Sequence, residues 1–158
     1  MLRRIAIVLA PLLALFGCDL AMQDLKPGVS TAAEVKRAMG QPTYEWKEPD
    51  GSLVWEFPRG PLGVVTYMVT IRPDGVLNEI RQVLTQETFA RIRPGLTKEE
   101  VRRLIGKPGE TMTFPLKKEE VWSWRYEPGA GETWQFHVHF GLDGKVVTTS
   151  ANKIGEPQ

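Results

Sequence analysis

Cysteine and histidine are scarce in this chain of 158 residues, which has one cysteine, Cys18, and two histidines, His137 and His139. Transition-metal sites depend mainly on these side chains, so a metal centre here would need carboxylates from elsewhere in the chain. Ser123 is a conceivable nucleophile beside a histidine base, but no glycine-framed nucleophile turn surrounds it. We therefore expect a protein that is not an enzyme and has no metal, no cofactor and no small-molecule substrate.

The chain also lacks an excess of charge of either sign. Its 20 lysines and arginines balance 19 aspartates and glutamates, for a formal net charge of +1. Removal of residues 1–17 would take away Arg3 and Arg4 and leave a net charge of about −1. Because nucleic-acid binding depends on neutralising phosphates, a nearly neutral chain excludes nucleic acid as an expected partner.

No apolar run is long enough to cross a membrane, since a spanning helix needs about 20 apolar residues. The longest run, Ile5–Phe16, follows the basic start Arg3-Arg4 and precedes Gly17. This order is typical of a secretory signal peptide, here residues 1–17, which is removed before folding.

The lone cysteine lies where cleavage would occur. The stretch Leu15-Phe16-Gly17-Cys18 resembles the bacterial lipobox, in which the cysteine is acylated, with palmitate among the attached chains, and becomes the new amino terminus. Cys18 is therefore the expected lipidation site, because no second cysteine exists to pair with it in an oxidising compartment. The alternative is a buried thiol behind an ordinary signal peptide.

One short helix is specified at both ends. Thr97 and Glu100 form a capping-box pattern, Val101 and Ile105 lie on one apolar face, and Gly106 with Pro108 ends the helix. The same pattern occurs 66 residues earlier, from Thr31 to Pro42, with six of twelve residues identical. A second internal similarity, at an offset of 69 residues, aligns Leu53–Val76 with Trp122–Lys145.

These offsets predict an internal duplication. The expected parts are a signal peptide (1–17), a lipid-anchored tether (18–26), a first repeat (27–84), a second repeat (85–154) and a tail (155–158). Alternating segments such as Trp122-Ser-Trp-Arg-Tyr126, followed by Asp-Gly turns, predict strands. The expected fold class is α+β, with two tandem units of helix, helix and three-stranded antiparallel meander. We expect the two units to share one continuous sheet, since each is marginal in size alone.

The second repeat resembles a known family. The residues from Phe89 to Pro108, the aromatic strand Trp122–Tyr126 and the turn Asp143-Gly144 resemble the SmpA/OmlA (BamE-like) outer-membrane assembly lipoproteins over Thr85 to about Ile154. The resemblance implies an accessory of the β-barrel assembly machinery, anchored in the inner leaflet of the outer membrane and facing the periplasm. The duplicated layout also resembles the β-lactamase-inhibitor protein (BLIP-like) fold, which presents a concave sheet to a partner.

Two groups of residues are candidates for contacts with a protein partner or with lipid headgroups. Trp46 and Phe114 lie in expected loops, where no strand alternation demands their burial. A basic cluster surrounds the second helix and could contact anionic headgroups, although a solvated helix face is the simpler explanation. Its members are Arg91, Arg93, Lys98, Arg102, Arg103 and Lys107.

The sequence thus predicts a lipid-anchored periplasmic interaction module for outer-membrane protein assembly or envelope integrity. The alternative is a BLIP-like inhibitor that binds an enzyme through its concave sheet. Asp19 directly follows the anchor cysteine. It resembles the signal that retains lipoproteins in the inner membrane of enteric bacteria, so inner-membrane retention stays open beside the outer-membrane location.

Overall fold

A computed structural model describes residues 22–60, 63–129 and 131–155. Three helices are described, α1 (Ala32–Met39), α2 (Gln86–Phe89) and α3 (Lys98–Ile105), with a 3₁₀ turn at Pro115–Lys117. The strands are β1 (Tyr44–Lys47), β2 (Leu53–Arg59), β3 (Val65–Ile71), β4 (Leu77–Gln82), β5 (Glu110–Phe114), β6 (Glu119–Gly129), β7 (Glu132–Phe140) and β8 (Val146–Lys153). None of the helices in these three ranges has the length and apolarity that a membrane crossing requires.

The strands form two four-stranded sheets, ordered β1-β2-β3-β4 and β5-β6-β7-β8. The pairs β1–β2, β5–β6, β6–β7 and β7–β8 are antiparallel. The fold divides into two compact units. The first contains the described residues as far as Phe57 together with Val69–Ile80, and the second contains Pro58–Met68 and the described residues from Arg81 onward.

Both eight-residue helices begin with the predicted capping box. The Thr97 hydroxyl accepts from the Glu100 amide at 3.2 Å, and the Glu100 carboxylate accepts from the Thr97 amide at 2.7 Å. Thr31 and Glu34 repeat this exchange at 3.3 and 2.7 Å. These contacts satisfy amides that have no partner within the helix, so both predicted helix starts are confirmed.

Each helix ends at a glycine with positive φ, Gly40 at 82° and Gly106 at 80°. Side chains with a Cβ rarely adopt this backbone conformation, which is why glycine stops the helix at both positions. The capping threonines also form isolated antiparallel bridges, Thr31 with Val76 and Thr97 with Lys145. The start of each helix is therefore fastened to the residue that follows an Asp-Gly turn.

The core of the second unit lies between its helices and one face of its sheet. Phe89 of α2 stacks on Phe136 at 4.0 Å and meets Tyr126 edge-on at 4.9 Å. Trp124 is buried and donates its indole N–H to the Gly106 carbonyl at 3.2 Å. The remaining buried members are Leu84, Ile92, Val101, Ile105, Val138, Phe140 and Val146. Even-numbered residues of β6 and β7 thus fill the core, as the alternation predicts.

The first unit buries side chains from the corresponding elements. Val35 and Met39 of α1 are buried, as are Trp55 and Phe57 of β2. Val69, Ile71 and Leu77 complete the set of fully buried apolar side chains on β3 and β4. The buried indole of Trp55 donates to Glu45 at 2.6 Å, and the Lys36 ammonium lies 4.6 Å from its ring centre.

The expected fold class was wrong in two respects. The protein is mostly β, with four strands in each sheet instead of three, because β1 and β5 occupy segments that were expected to be loops. The two sheets are also separate, and none of the described strands is common to both. The added strands are short and largely exposed, so they carry little of the apolar alternation that identifies a strand in a sequence.

Candidate interaction surfaces

The predicted lipidation site lies outside the described residues, as does Asp19. Of the predicted tether, only residues 22–26 are described. Within residues 22–26, the Leu25 amide donates to the Met22 carbonyl at 3.2 Å.

Trp46 does not lie in a loop, contrary to the sequence interpretation. It is the third residue of strand β1, only 7% of its surface is exposed, and its ring centre is 4.6 Å from that of Tyr44. A buried indole offers little area to a partner. Tyr44, which is exposed, is the aromatic side chain that this strand presents to solvent.

Phe114 lies at the end of strand β5 and is half-buried. The Lys117 ammonium lies 5.7 Å from its ring centre, within cation–π range. The residues after it form the connection from β5 to β6, where Leu116 is fully exposed.

A second exposed leucine lies at the same end of the second sheet. Leu142 is 80% exposed in the turn between β7 and β8, which adjoins the β5–β6 connection because Phe114 pairs with Glu119 and Glu120 pairs with Phe140. A cavity of about 200 Å³ at this end is lined by residues of both connections and by Lys98. We name Phe114, Leu116 and Leu142 the hairpin-tip surface.

Sequence reasoning missed both leucines of the hairpin-tip surface. The available signal was an apolar residue at a position where turn chemistry favours polar ones, in Pro115-Leu-Lys-Lys118 and Gly141-Leu-Asp-Gly144. Single exposed leucines are common on protein surfaces, but two in adjoining hairpin connections, with a half-buried phenylalanine in one of them, are a candidate apolar surface.

Lys98 of the basic cluster is occupied by contacts within the second unit. Its ammonium donates to the Glu120 carboxylate at 2.7 Å and lies 5.6 Å from the ring centres of Trp122 and Phe140. Glu120 also accepts from the Trp122 indole at 2.6 Å. The hydrogen bond from Lys98, and then that from Trp122, holds the pKa of Glu120 below its usual value.

The other basic residues do not form one continuous surface. Arg103 of α3 contacts Glu99 at 3.2 Å one turn earlier, and Arg102 is half-buried. Arg91 and Arg93 are exposed in the connection between α2 and α3, and Lys107 is exposed beyond the end of α3. The structure therefore separates the predicted cluster into exposed arginines before the helix and engaged side chains on it.

The sheet face that points away from the helices carries His137 and His139, each of which contacts side chains of both neighbouring strands. His137 contacts the Ser123 hydroxyl at 2.8 Å through Nδ1 and the Asn152 side-chain oxygen at 2.6 Å through Nε2. His139 contacts Glu119 through Nδ1 and the Ser150 hydroxyl at 3.0 Å through Nε2.

The Asn152 oxygen can only accept, so Nε2 of His137 donates to it, and in the neutral imidazole Nδ1 then accepts from the Ser123 hydroxyl. That polarity is the one a serine nucleophile needs, but Ser123 is only 7% exposed and lies within a strand instead of on a nucleophile turn. The described residues also contain no group of three or more histidines, cysteines, aspartates or glutamates placed to hold a metal. The contacts instead join β6, β7 and β8 across the open face.

A broader cavity of about 480 Å³ adjoins this network within the second unit. It is lined by Gly63, Gly109, Glu110, Ser123, Arg125 and Gln135. The lining is mixed in charge and mostly polar, unlike the apolar lining of small-molecule sites.

Comparison with known proteins gives limited similarity. No curated protein sequence matches the chain. Among solved structures, the crystal structure of a DUF4309 family protein, YjgB, from Bacillus subtilis aligns with 87% of this chain and 93% of that chain, with 18% identity. Its TM-score of 0.33 is too low to support a shared fold.

A family comparison is more specific. The matched stretch begins at the end of β4, contains α2, α3 and strands β5, β6 and β7, and ends within β8. It therefore coincides with the second sheet and the helices packed on it. Residues 82–150 match the outer membrane protein assembly factor BamE domain, which confirms the BamE-like resemblance predicted for Thr85 to about Ile154.

Proposed function

We propose that the protein is a lipid-anchored periplasmic accessory of outer-membrane protein assembly that acts by binding other proteins. The main support is the BamE-domain match over residues 82–150. The matched stretch contains the capped helix, most of the second sheet and the buried core between them. A domain named for an assembly factor favours protein contacts over catalysis.

The proposed anchor is an acylated Cys18 after removal of residues 1–17. The tether of residues 18–26 is short, since an extended chain reaches at most about 3.6 Å per residue. The first unit would therefore stay close to the membrane surface, and exposed Arg91 and Arg93 remain candidates for headgroup or partner contacts.

We further propose that residues 27–84 and 85–154 are tandem copies of one unit. Equivalent local geometry supports this proposal. The Val76 and Lys145 amides donate to Asp74 and Asp143 at 3.1 Å in both cases. In the same way, the Leu77 amide donates to Ser30 and the Val146 amide to Leu96, at 2.7 and 2.8 Å.

The hairpin-tip surface is the proposed partner contact. Leu116 and Leu142 are exposed apolar side chains in adjoining hairpin connections, and Phe114 and Leu142 line the cavity at this end. Apolar anchors next to a pocket, surrounded by lysines and glutamates, have the composition of a small protein interface with a polar rim.

The test is affinity isolation of the full chain, tagged at its carboxyl end, from detergent-solubilised envelopes. We expect components of the β-barrel assembly machinery to co-purify, and loss of the gene to increase sensitivity to detergents and large antibiotics. The double variant Leu116→Asp with Leu142→Asp should reduce the co-purified amount several-fold. Val29→Asp, at an exposed valine of the first unit, is the matched control and should leave it unchanged.

Capture of a soluble hydrolase whose turnover stops on binding would contradict the assembly role and favour the inhibitor alternative. That alternative depended on one continuous concave sheet, and the protein has two separate sheets instead. We therefore do not propose it. Normal co-purification by the double variant would remove the hairpin-tip surface from the proposal while leaving the assembly role intact.

A further inference from the structure

The two sheets have four edge strands, β1, β4, β5 and β8, and three of them carry features that prevent further pairing. Strand β1 is four residues long and contains Glu45 and Lys47, and β4 contains Glu79 and Arg81. Strand β5 begins at Glu110 and is followed at once by Pro115. Short length, charge and proline are the usual protections of an exposed sheet edge.

Strand β8 has none of these three protections before its last residue, and its register with β7 shifts only at its start, between His139 and Phe140. Its eight residues, Val-Val-Thr-Thr-Ser-Ala-Asn-Lys, contain no proline and no charge until Lys153. The first four are β-branched, which favours the extended conformation. Among the edges that the described residues form, β8 is thus the one suited to pairing with another strand.

Hydrogen bonds show which backbone groups of β8 face outward. The Ile154 amide donates to Thr133 of β7 at 3.0 Å, so the amides two and four residues earlier also face β7. The intervening residues Thr149 and Ala151 therefore direct their N–H and C=O groups away from the sheet. No backbone hydrogen bond joins either residue to any described part of the chain outside the sheet.

The start of the same edge is already paired. The Val146 amide donates to Leu96 at 2.8 Å, and the Gly95 amide donates to Val146 at 2.8 Å. The chain before α3 therefore acts as a short neighbour strand at Val146 and then leaves the edge. The open part begins at Val147, which is 59% exposed, and extends through Ala151.

We infer that this open edge receives an extended segment of a partner protein as an added strand. An incoming strand would meet no charge from Val147 to Asn152, so an uncharged segment is favoured. On one sheet face, its side chains would lie next to Thr149 and Ala151, which pair with Val138 and Phe136. On the other face, they would lie next to the polar side chains of Thr148, Ser150 and Asn152.

The occupant that fits these two rows alternates apolar and polar side chains. Strands of membrane β-barrels have this alternation and lack charge on their lipid-facing side. The identification of the occupant as such a strand rests on the proposed function, whereas the open edge itself does not.

The probe is a synthetic ten-residue peptide of alternating valine and threonine with blocked ends. Every second residue is N-methylated, so one edge of the peptide cannot pair and the peptide cannot associate with itself beyond a dimer. A second peptide, N-methylated on both edges, is the control. Full-length protein in nonionic detergent is titrated with each peptide, and amide hydrogen exchange is followed by NMR.

We expect the one-edge peptide to slow exchange of the Thr149 and Ala151 amides about tenfold or more, while the amides of Ala32–Met39 are unchanged. Ala151→Pro removes an outward N–H without removing a bond to β7, so the fold should persist and peptide affinity should fall by about tenfold. Ala151→Ser keeps the N–H and is the matched control, with unchanged affinity.

Equal binding of the two peptides, or unchanged affinity in Ala151→Pro, would overturn the inference. It would also be overturned if the protein alone forms a dimer in sedimentation that Ala151→Pro dissociates, because a second copy would then occupy the edge. If peptide binding occurs but no assembly component co-purifies and no envelope defect follows gene loss, the proposed function fails and the edge site stands. If assembly components co-purify but the peptides do not bind selectively, the proposed function stands and the edge site is rejected.

Discussion

Lys98 illustrates how far a single residue can be interpreted from sequence. Its position on the capped helix is predictable, and so is its charge, but its partners are not. Glu120 is 22 residues away, and the contact arises only because α3 packs beside β6. A local charge count therefore made Lys98 a candidate for partner or headgroup contacts, whereas its ammonium contacts a carboxylate and two aromatic rings of its own chain.

Replacement of this carboxylate tests the contact. Glu120→Gln should lower the free energy of unfolding by about 1 kcal/mol or less at neutral pH, since the pair is partly exposed. The lowered pKa of Glu120 means that its contribution is present above the ordinary glutamate pKa and is lost as pH falls through the lowered value. The difference between wild type and variant should therefore shrink in acid.

Urea denaturation at several pH values between 7 and 3 measures this difference. Glu127→Gln, at an exposed glutamate of the same strand, is the control and should show no comparable loss. A difference that stays constant down to the lowest pH would show that the ionised carboxylate is not its source.

At the scale of elements, the sequence predicted what is locally encoded. A capping threonine, its glutamate and a terminal glycine lie within ten residues of one another, so both eight-residue helices were predictable. Strands β1 and β5 were not predictable in this way. A short exposed edge strand is defined by the strand it pairs with, and its own residues do not identify that partner. Trp46 was misplaced for the same reason: it is buried by packing, not by its own strand's pattern.

The capping box gives a direct test at this scale. Thr97→Ala removes the oxygen that accepts from the Glu100 amide and should lower the free energy of unfolding by about 1 kcal/mol. Thr97→Ser keeps the oxygen and should be nearly neutral. Urea denaturation with an unchanged slope would assign the loss to the folded state, and equal losses in both variants would assign it to the threonine methyl group instead.

For the whole molecule, period-two patterns show which face of a strand is buried but not which strand lies beside it. The sequence therefore predicted two similar repeats, residues 27–84 and 85–154, but its expectation that they share one sheet was wrong. With a fourth strand each, the sheets carry separate sets of buried aromatics, including Trp55 and Phe57 in one and Trp124 and Phe136 in the other.

Membrane location is the prediction that belongs to this scale. We expect the native protein to band with the outer membrane in a density gradient and to lose its palmitate label and membrane association in Cys18→Ser. Asp19→Ser should leave the location unchanged, and Asp24→Ser is a matched aspartate control farther along the tether. If the native protein bands with the inner membrane and Asp19→Ser moves outward, Asp19 acts as a retention signal and the outer-membrane role fails.

The bridges at the capping threonines have a consequence for the order of folding. Thr97 pairs with Lys145, and Thr31 with Val76, so each helix start is fixed by a residue more than forty positions away. An eight-residue helix is marginal alone, and such distant contacts form only after the intervening strands have closed. Thr97→Ala should therefore speed unfolding in stopped-flow experiments and leave the refolding rate nearly unchanged. The caps would then determine how long the folded state lasts, not how quickly it is reached.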